Sequence, residues 1–194
     1  IGDSLMGGSS AGEGSYSWIK GVTDFFGWHN WLNNSYGGTG FWADGQGGSI
    51  IYEGRITDIM EFSPDLIIVQ CSVNDLQATQ TELSDAISSW FTAVRSFYDG
   101  HIIVSGVVAS DTVNSLDLEN RCIVALDLVD DSNMTFIPVQ TDPMGTPIKG
   151  TGYVGNESGD GPADILKGDS THFNKYGAVF MAMFWVQRVI EKIS

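Results

Sequence analysis

The sequence predicts an α/β domain, a parallel sheet with helices on both of its faces. Three short apolar runs are continuous rather than alternating, as strands buried on both faces are. Stretches with helical spacing separate them. The elements therefore run strand, helix, strand, helix, strand, helix, the order that the crossovers of a parallel sheet impose.

The elements follow in chain order. Gly2-Asp3-Ser4-Leu5 opens the chain as a loop motif. Tyr16 to Phe26 reads as a helix, and Trp28 to Asn34 as a candidate strand leading into Gly37-Gly38-Thr39-Gly40. Leu66-Ile67-Ile68-Val69-Gln70-Cys71, after Pro64, is the first apolar run. Leu83, Ala86, Ile87, Trp90, Phe91, Val94 and Phe97 then recur at helical spacing. His101 to Val108 is the second run and Met134 to Val139 the third; Leu116, Leu118, Cys122, Ala125, Leu126 and Val129 between them give a less regular helix. Gly145 to Lys167 is Gly-rich without periodicity, and in a compact domain so long a loop is functional or mobile. Tyr176 to Ile193 is a strong helix, with Val179, Phe180, Met183, Phe184 and Ile190 on or near one face. A parallel sheet of this kind needs a strand feeding Gly2, yet only Ile1 precedes it. The 194 residues therefore read as one domain excised from a longer chain, with its first strand largely missing.

Composition excludes several classes of function. Asp and Glu number 24 against nine Lys and Arg, a net charge of −15. A nucleic-acid partner needs a basic footprint, and an anionic membrane attracts basic segments, so neither is expected. The longest apolar run, Ala178 to Val186, falls short of the ~20 residues that span a bilayer. Cys71 and Cys122 lie within apolar patterns and read as buried thiols, without the spacing of a metal site. His29 and His101 lie beside or within strand patterns and are given no role. Asn156, Ser158 and Asp160-Gly161 are spaced like the start of a calcium loop, but Lys167 stands where its closing Glu belongs, so an acidic loop is the better reading.

The chemistry lies at the two ends of the chain. A Ser hydroxyl becomes a nucleophile when an imidazole takes its proton, and a carboxylate holds that imidazole in one tautomer. Ser4 stands near the start, with Asp169 and His172 three residues apart near the end, so one turn can hold the carboxylate against the ring. Gly38 follows the candidate second strand and Asn74 follows the first apolar run. A Gly backbone N–H and an Asn amide are natural oxyanion donors. Ser4, Gly38 and Asn74 would each sit just past a strand end, where open parallel sheets bind ligands.

These segments together resemble the four sequence blocks of the SGNH, or GDSL-type, hydrolases. Gly2-Asp3-Ser4-Leu5 resembles the first block, Asn33 to Phe41 the second, Ser72-Val73-Asn74-Asp75 the third, and Asp169-Ser170-Thr171-His172 with Phe173 to Gly177 the last. The resemblance spans almost the whole chain. It departs at Ser72 and Ser35, where the family usually has Gly, and at Met6, which separates it from the Gly-x-Ser-x-Gly elbow. It implies a three-layer α/β/α fold of flavodoxin type with about five parallel strands. It implies ester hydrolysis through an acyl-enzyme on Ser4, with His172 as base and Asp169 as its orienter. Ser4 and Gly38 N–H and the Asn74 amide would form the oxyanion hole, with no metal or cofactor.

The expected substrate is a small-molecule or glycan ester, O-acetyl groups included. Phe41 and Trp42, directly after the second block, are candidate substrate-binding aromatics. Asp3 and Asp75 read as structural carboxylates, and Asp169 doubles as a candidate N-cap for the last helix. The long Gly-rich loop resembles GDSL-type domains of bacterial secreted and phage tail proteins, which implies an extracellular or virion-associated location. Two rival readings use the same residues. One is a carbohydrate- or receptor-binding module of a larger assembly with little turnover; the other is acyl transfer to an acceptor other than water. Oligomeric state is left open by the sequence.

Overall fold

The computed structural model describes residues 1–8, 17–45, 51–108, 115–142, 148, 152–159 and 161–193. Three parallel strands form its sheet: β1 (Leu66–Gln70), β2 (His101–Ser105) and β3 (Met134–Ile137), side by side in that order. Leu66 pairs with His101 and Ile102 with Met134, so the strands start level with one another. Two short segments extend the β1 edge. Ile1 donates to Ile68 O (2.7 Å) and accepts from Gln70 N (3.0 Å), the parallel pattern. Gly2 in turn bridges in parallel to Ser35. Across the sheet the order is therefore 34–36, 1–2, β1, β2, β3, the flavodoxin order of an open α/β sheet.

Helices cover both faces. The helices are α1 (Ser4–Gly7), α2 (Trp18–Phe26), α3 (Ile56–Phe62), α4 (Gln80–Arg95), α5 (Ser115–Val129), α6 (Ala163–Leu166) and α7 (Lys175–Ile193). Side chains alternate across a strand, and the two cores divide accordingly. Ile67, Val69, Ile102 and Val104 pack with Ile59 of α3, Leu83, Ile87, Trp90 and Phe91 of α4, and Leu118, Cys122 and Leu126 of α5. Leu66, Ile68, Ile103 and Ile137 face α2 and α7, with the rings of Trp18 and Trp185 in tilted contact at 5.1 Å between centroids. The result is three layers, α/β/α.

Local chemistry starts and stops these elements. Thr79 caps α4 in a capping box with Glu82: Glu82 N donates to Thr79 Oγ1 and Thr79 N to Glu82 Oε2. Gly27 in the left-handed region ends α2. Asn174, not Asp169, begins α7, its Oδ1 accepting from Tyr176 N and Gly177 N.

Two expectations need correction. Trp28–Asn34 forms no strand; only Ser35, just beyond it, bridges to Gly2. α7 turns its other stripe inward, burying Met181, Ala182, Trp185 and Val189 while Val179, Phe180, Met183 and Ile190 are exposed. A helix apolar on every side offers no unique face, and contact with α2 makes the choice. Gly21 leaves α2 so close that a Cβ there would lie 2.6 Å from Ala182 Cβ. The short helices α3 and α6 have no counterpart in the sequence reading. The Gly-rich stretch lies partly outside the described residues, Asp160 of the calcium-like spacing included. Within it Asp164 accepts from Ser158 N (3.0 Å) and Gly159 N (2.6 Å), folding 158–159 onto α6.

Glu119 of α5 is fully buried and ties the ends of β2 and β3 together. Its carboxylate accepts from the backbone N–H of Val107 (2.8 Å), Val139 (3.1 Å), Gln140 (2.9 Å) and Thr141 (2.7 Å). Each buried donor left without an acceptor costs ~1–3 kcal/mol. Glu119→Ala is therefore expected to lower the unfolding free energy by about 3 kcal/mol or more, read from urea denaturation; a loss below about 1 kcal/mol would contradict the clamp.

Candidate active site

Ser4 is placed by the step from sheet to helix. Ile1 and Gly2 lie in the sheet, and the chain then turns into α1 with Asp3 as N-cap, its Oδ1 accepting from Leu5 N at 2.8 Å. Ser4 is the first residue of α1, where a helix leaves its N–H without an internal acceptor. The hydroxyl stands at the C-terminal edge of the sheet, half-buried.

His172 comes from the loop between α6 and α7. Two ties close that loop at its base: Gly168 N donates to His172 O (2.8 Å), and Lys167 bridges Phe173. The buried Lys167 ammonium donates to Ser170 O. Asp169 organises the turn with both oxygens. Oδ1 accepts from Thr171 N (2.7 Å) and His172 N (2.6 Å), and Oδ2 faces His172 Nδ1 at 3.0 Å. Partial burial works against ionisation of Asp169, but these bonds and the imidazole outweigh it and hold its pKa below the usual value. An ionised carboxylate only accepts, so Nδ1 carries the proton and Nε2 is left as acceptor. Nε2 lies 2.9 Å from Ser4 Oγ, across a separation of 168 residues. The structure thus brings Ser4, His172 and Asp169 into one hydrogen-bonded line.

The oxyanion candidates approach from the neighbouring loops. The chain passes beside Ser4 at Gly37, where a Cβ would sit 3.7 Å from Ser4 Cβ. Gly38 takes φ of 75°, which an L side chain resists. Asn74 lies in the 3₁₀ turn Val73–Gln77 after β1. Its amide Nδ2 is within hydrogen-bond range of Thr39 O (3.1 Å) and Ser72 Oγ (3.0 Å).

Beneath the site are buried polar groups. Asp3 Oδ1 also accepts from Gln70 Nε2 (3.1 Å), and its Oδ2 from Ser72 Oγ (2.7 Å). Burial pushes the Asp3 carboxyl up, against the pull of these bonds. Asp75 accepts from Phe41 N (3.0 Å), Trp42 N (3.0 Å) and Ala43 N (2.8 Å), fixing the loop after Gly38. Arg55 is a support that the sequence reading missed, and a lone Arg carries no local signal of burial. Its guanidinium donates to Asn34 O (2.8 Å), Gly2 O (3.3 Å) and Thr39 Oγ1 (3.0 Å), and lies over the rings of Tyr36 and Tyr52.

The two candidate substrate aromatics part company. Phe41 is a core residue, 1% exposed and packed on Tyr52 and Trp90, which corrects its reading as a substrate contact. Trp42 turns outward and is 39% exposed, as is Tyr36 at 50% on the same loop. A groove of about 470 Å³ lies elsewhere, near the N-terminal end of β1, lined by Trp28, Trp31, Leu32, Phe62 and Leu66 and not by Ser4. Among the described residues no cluster of three His, Cys, Asp or Glu is arranged to hold a metal, and no helix is long and apolar enough to cross a membrane.

No protein-family model matches the sequence, and no curated protein matches it. Solved structures do match. The chain is similar to an acetyl xylan esterase from the rumen bacterium Butyrivibrio proteoclasticus, with TM-score 0.61 and 14% identity over 100% of this chain and 63% of that one. This chain thus spans less than two thirds of that esterase. It is similar to a family 3 carbohydrate esterase from Talaromyces cellulolyticus, with TM-score 0.62 and 14% identity over 100% of this chain and 95% of that one. A salicylyl-acyltransferase of a tetracycline biosynthetic pathway matches at TM-score 0.59 and 13% identity, over 98% of this chain and 53% of that one. At such identities the likeness is one of fold, and the fold is that of the SGNH hydrolases.

The Asp75 carboxyl gives the site a measurable pH dependence. Burial pushes its pKa up to about 6, against the pull of three backbone N–H groups. The folded state therefore binds this proton more tightly than the unfolded chain, whose Asp titrates near ~3.9. The stability contributed by Asp75 is present below about pH 4 and lost as pH rises through about 6. The difference in unfolding free energy between wild type and Asp75→Asn is expected to shrink by up to about 3 kcal/mol from about pH 4 to about pH 7. Urea titrations across that range measure it, and a difference that does not change would mean an ordinary carboxyl.

Proposed function

We propose that this chain is a serine esterase acting on small acyl esters, with O-acetyl groups on a glycan as its substrate class. The observation that carries the reading is the line Ser4 Oγ, His172 Nε2, His172 Nδ1, Asp169 Oδ2, linked at 2.9 and 3.0 Å. Ser4 Oγ attacks the acyl carbonyl while His172 Nε2 takes its proton, and Asp169 stabilises the imidazolium that forms. The tetrahedral oxyanion takes hydrogen bonds from Ser4 N–H, Gly38 N–H and the Asn74 amide. His172 then gives its proton to the departing alcohol, leaving an acyl-enzyme on Ser4. Water enters, loses a proton to Nε2 as its oxygen attacks the acyl carbon, and His172 returns that proton to Ser4 Oγ as the Oγ–acyl bond breaks and the acid departs.

The acetyl and glycan assignments draw on the fold shared with the two carbohydrate esterases, one of which acts on acetyl xylan by its description. Trp42, exposed on the loop beside Ser4, supplies a face on which a sugar ring can stack. A polymeric glycan substrate places the protein outside the cell or on a virion. Acyl transfer is the second reading, favoured by the shared fold with the salicylyl-acyltransferase; the same residues serve, and an alcohol replaces water in the second half.

The test is hydrolysis of p-nitrophenyl esters from acetate to octanoate, followed by acetate release from acetylated xylan. Ser4→Ala is expected to lower kcat/KM by ~10³-fold or more, with acetate the preferred acyl group. Added alcohols that divert the acyl group would favour transfer. A folded wild type no faster than Ser4→Ala, yet retained by glycan, would replace the esterase with a binding module.

A further inference from the structure

We propose that Ser72 is a positioning residue for the oxyanion site, its buried hydroxyl holding Asn74 and coupling it to the carboxylate beside the nucleophile. The proposal rests on the esterase reading and deepens it. The Asn74 amide has two, with Thr39 O at 3.1 Å and Ser72 Oγ at 3.0 Å to receive them. The backbone N–H of Asn74 also donates to Ser72 Oγ, at 3.1 Å. Main chain and side chain of Asn74 thus converge on one oxygen, and that fixes the side-chain rotamer.

Ser72 has a single proton, with Asp3 Oδ2 at 2.7 Å and Thr39 O at 2.8 Å in range. The carbonyl already receives the Asn74 amide, and Asp3 Oδ2 lies closer, so the proton goes to Asp3. The hydroxyl is then saturated, with one bond donated and two accepted. Asp3 carries the link onward, since its other oxygen holds Leu5 N–H in the first turn of α1 and the Gln70 amide at the end of β1. Asp3 and Ser72 are both wholly buried, so water does not compete for these bonds.

With both protons engaged, Asn74 reaches an oxyanion only by exchanging one bond. The Thr39 carbonyl is the better acceptor, so the bond to the Ser72 hydroxyl is the one released as charge develops. Ser72 thereby holds the amide in place before reaction and yields it in the transition state. The motif that this segment resembles begins with Gly, which has no atom for this task.

The experiment places Ser72→Ala and Ser72→Gly in the wild type and in Asn74→Ala, with p-nitrophenyl acetate as substrate and urea denaturation to verify folding. Loss of an oxyanion donor costs ~10²–10³ in kcat, so Asn74→Ala is expected in that range. Misplacing the donor costs less, and Ser72→Ala is expected to lower kcat about tenfold with KM unchanged. In the Asn74→Ala background the same change is expected to alter kcat by less than about twofold, because Ser72 acts through Asn74. Losses that multiply in the double variant, or full activity in a folded Ser72→Ala or Ser72→Gly protein, overturn the proposal. A second readout needs no turnover. The Asn74 side-chain amide is identified by NMR from its disappearance in Asn74→Ala. An upfield move of its protons and faster exchange in Ser72→Ala and Ser72→Gly support the coupling, and an unchanged signal overturns it. A wild type without esterase activity sinks the esterase reading alone, and the amide signal then decides the coupling.

Discussion

The site depends on a carboxylate that takes no direct part in the proposed chemistry. Asp3 is fully buried, and its two oxygens receive the first-turn N–H of α1, the Gln70 amide and the Ser72 hydroxyl. A buried carboxylate persists only where such donors meet it. Once they do, their geometry fixes three pieces of chain at once: the helix that begins at Ser4, the end of β1 and the turn that carries Asn74. The placement of Ser4 relative to Asn74 is therefore a property of one buried group rather than of two independent loops.

The second loop is held by the same kind of physics with the charge reversed. Arg55 is buried, and its two terminal nitrogens donate to two backbone carbonyls and a threonine hydroxyl while the guanidinium lies over two aromatic rings. Asp75 fixes the following residues through three backbone N–H groups. Between them these residues set the path of the chain from Asn34 to Ala43. That path brings Gly37 past Ser4, sends Phe41 into the core and leaves Trp42 facing solvent. An acidic chain with few cations uses one of them as an internal strut.

Asp169 and His172 have a different origin. Their contact is local, three residues apart, and the carboxylate that caps the turn also orients the ring. What the fold adds is distance covered: the loop between α6 and α7 must meet a residue at the other end of the chain. The packing of α7 on α2, through Gly21 and Ala182 and the Trp18–Trp185 contact, holds that loop over the edge of the sheet.

The sequence by itself determined whatever is written in local pattern. Continuous apolar runs identified β1, β2 and β3, because strands buried on both faces have no polar side to show. Helical spacing identified α2, α4, α5 and α7, and the motifs at Ser4, Gly38, Asn74, Asp169 and His172 named the candidate site in chain order. Tertiary structure alone decided what depends on partners distant in sequence. It chose the face α7 buries, because a helix apolar all round has no preference of its own. It separated Phe41 from Trp42, neighbours of like hydropathy that point to opposite sides of one loop. It also recruited Ser72, Arg55 and Glu119 as buried supports, and it supplied the donors of Asp3 and Asp75, which the sequence already marked as structural carboxylates. Nothing in a lone Glu or Arg announces burial, since its cost is met only by donors and acceptors that folding brings from elsewhere in the chain.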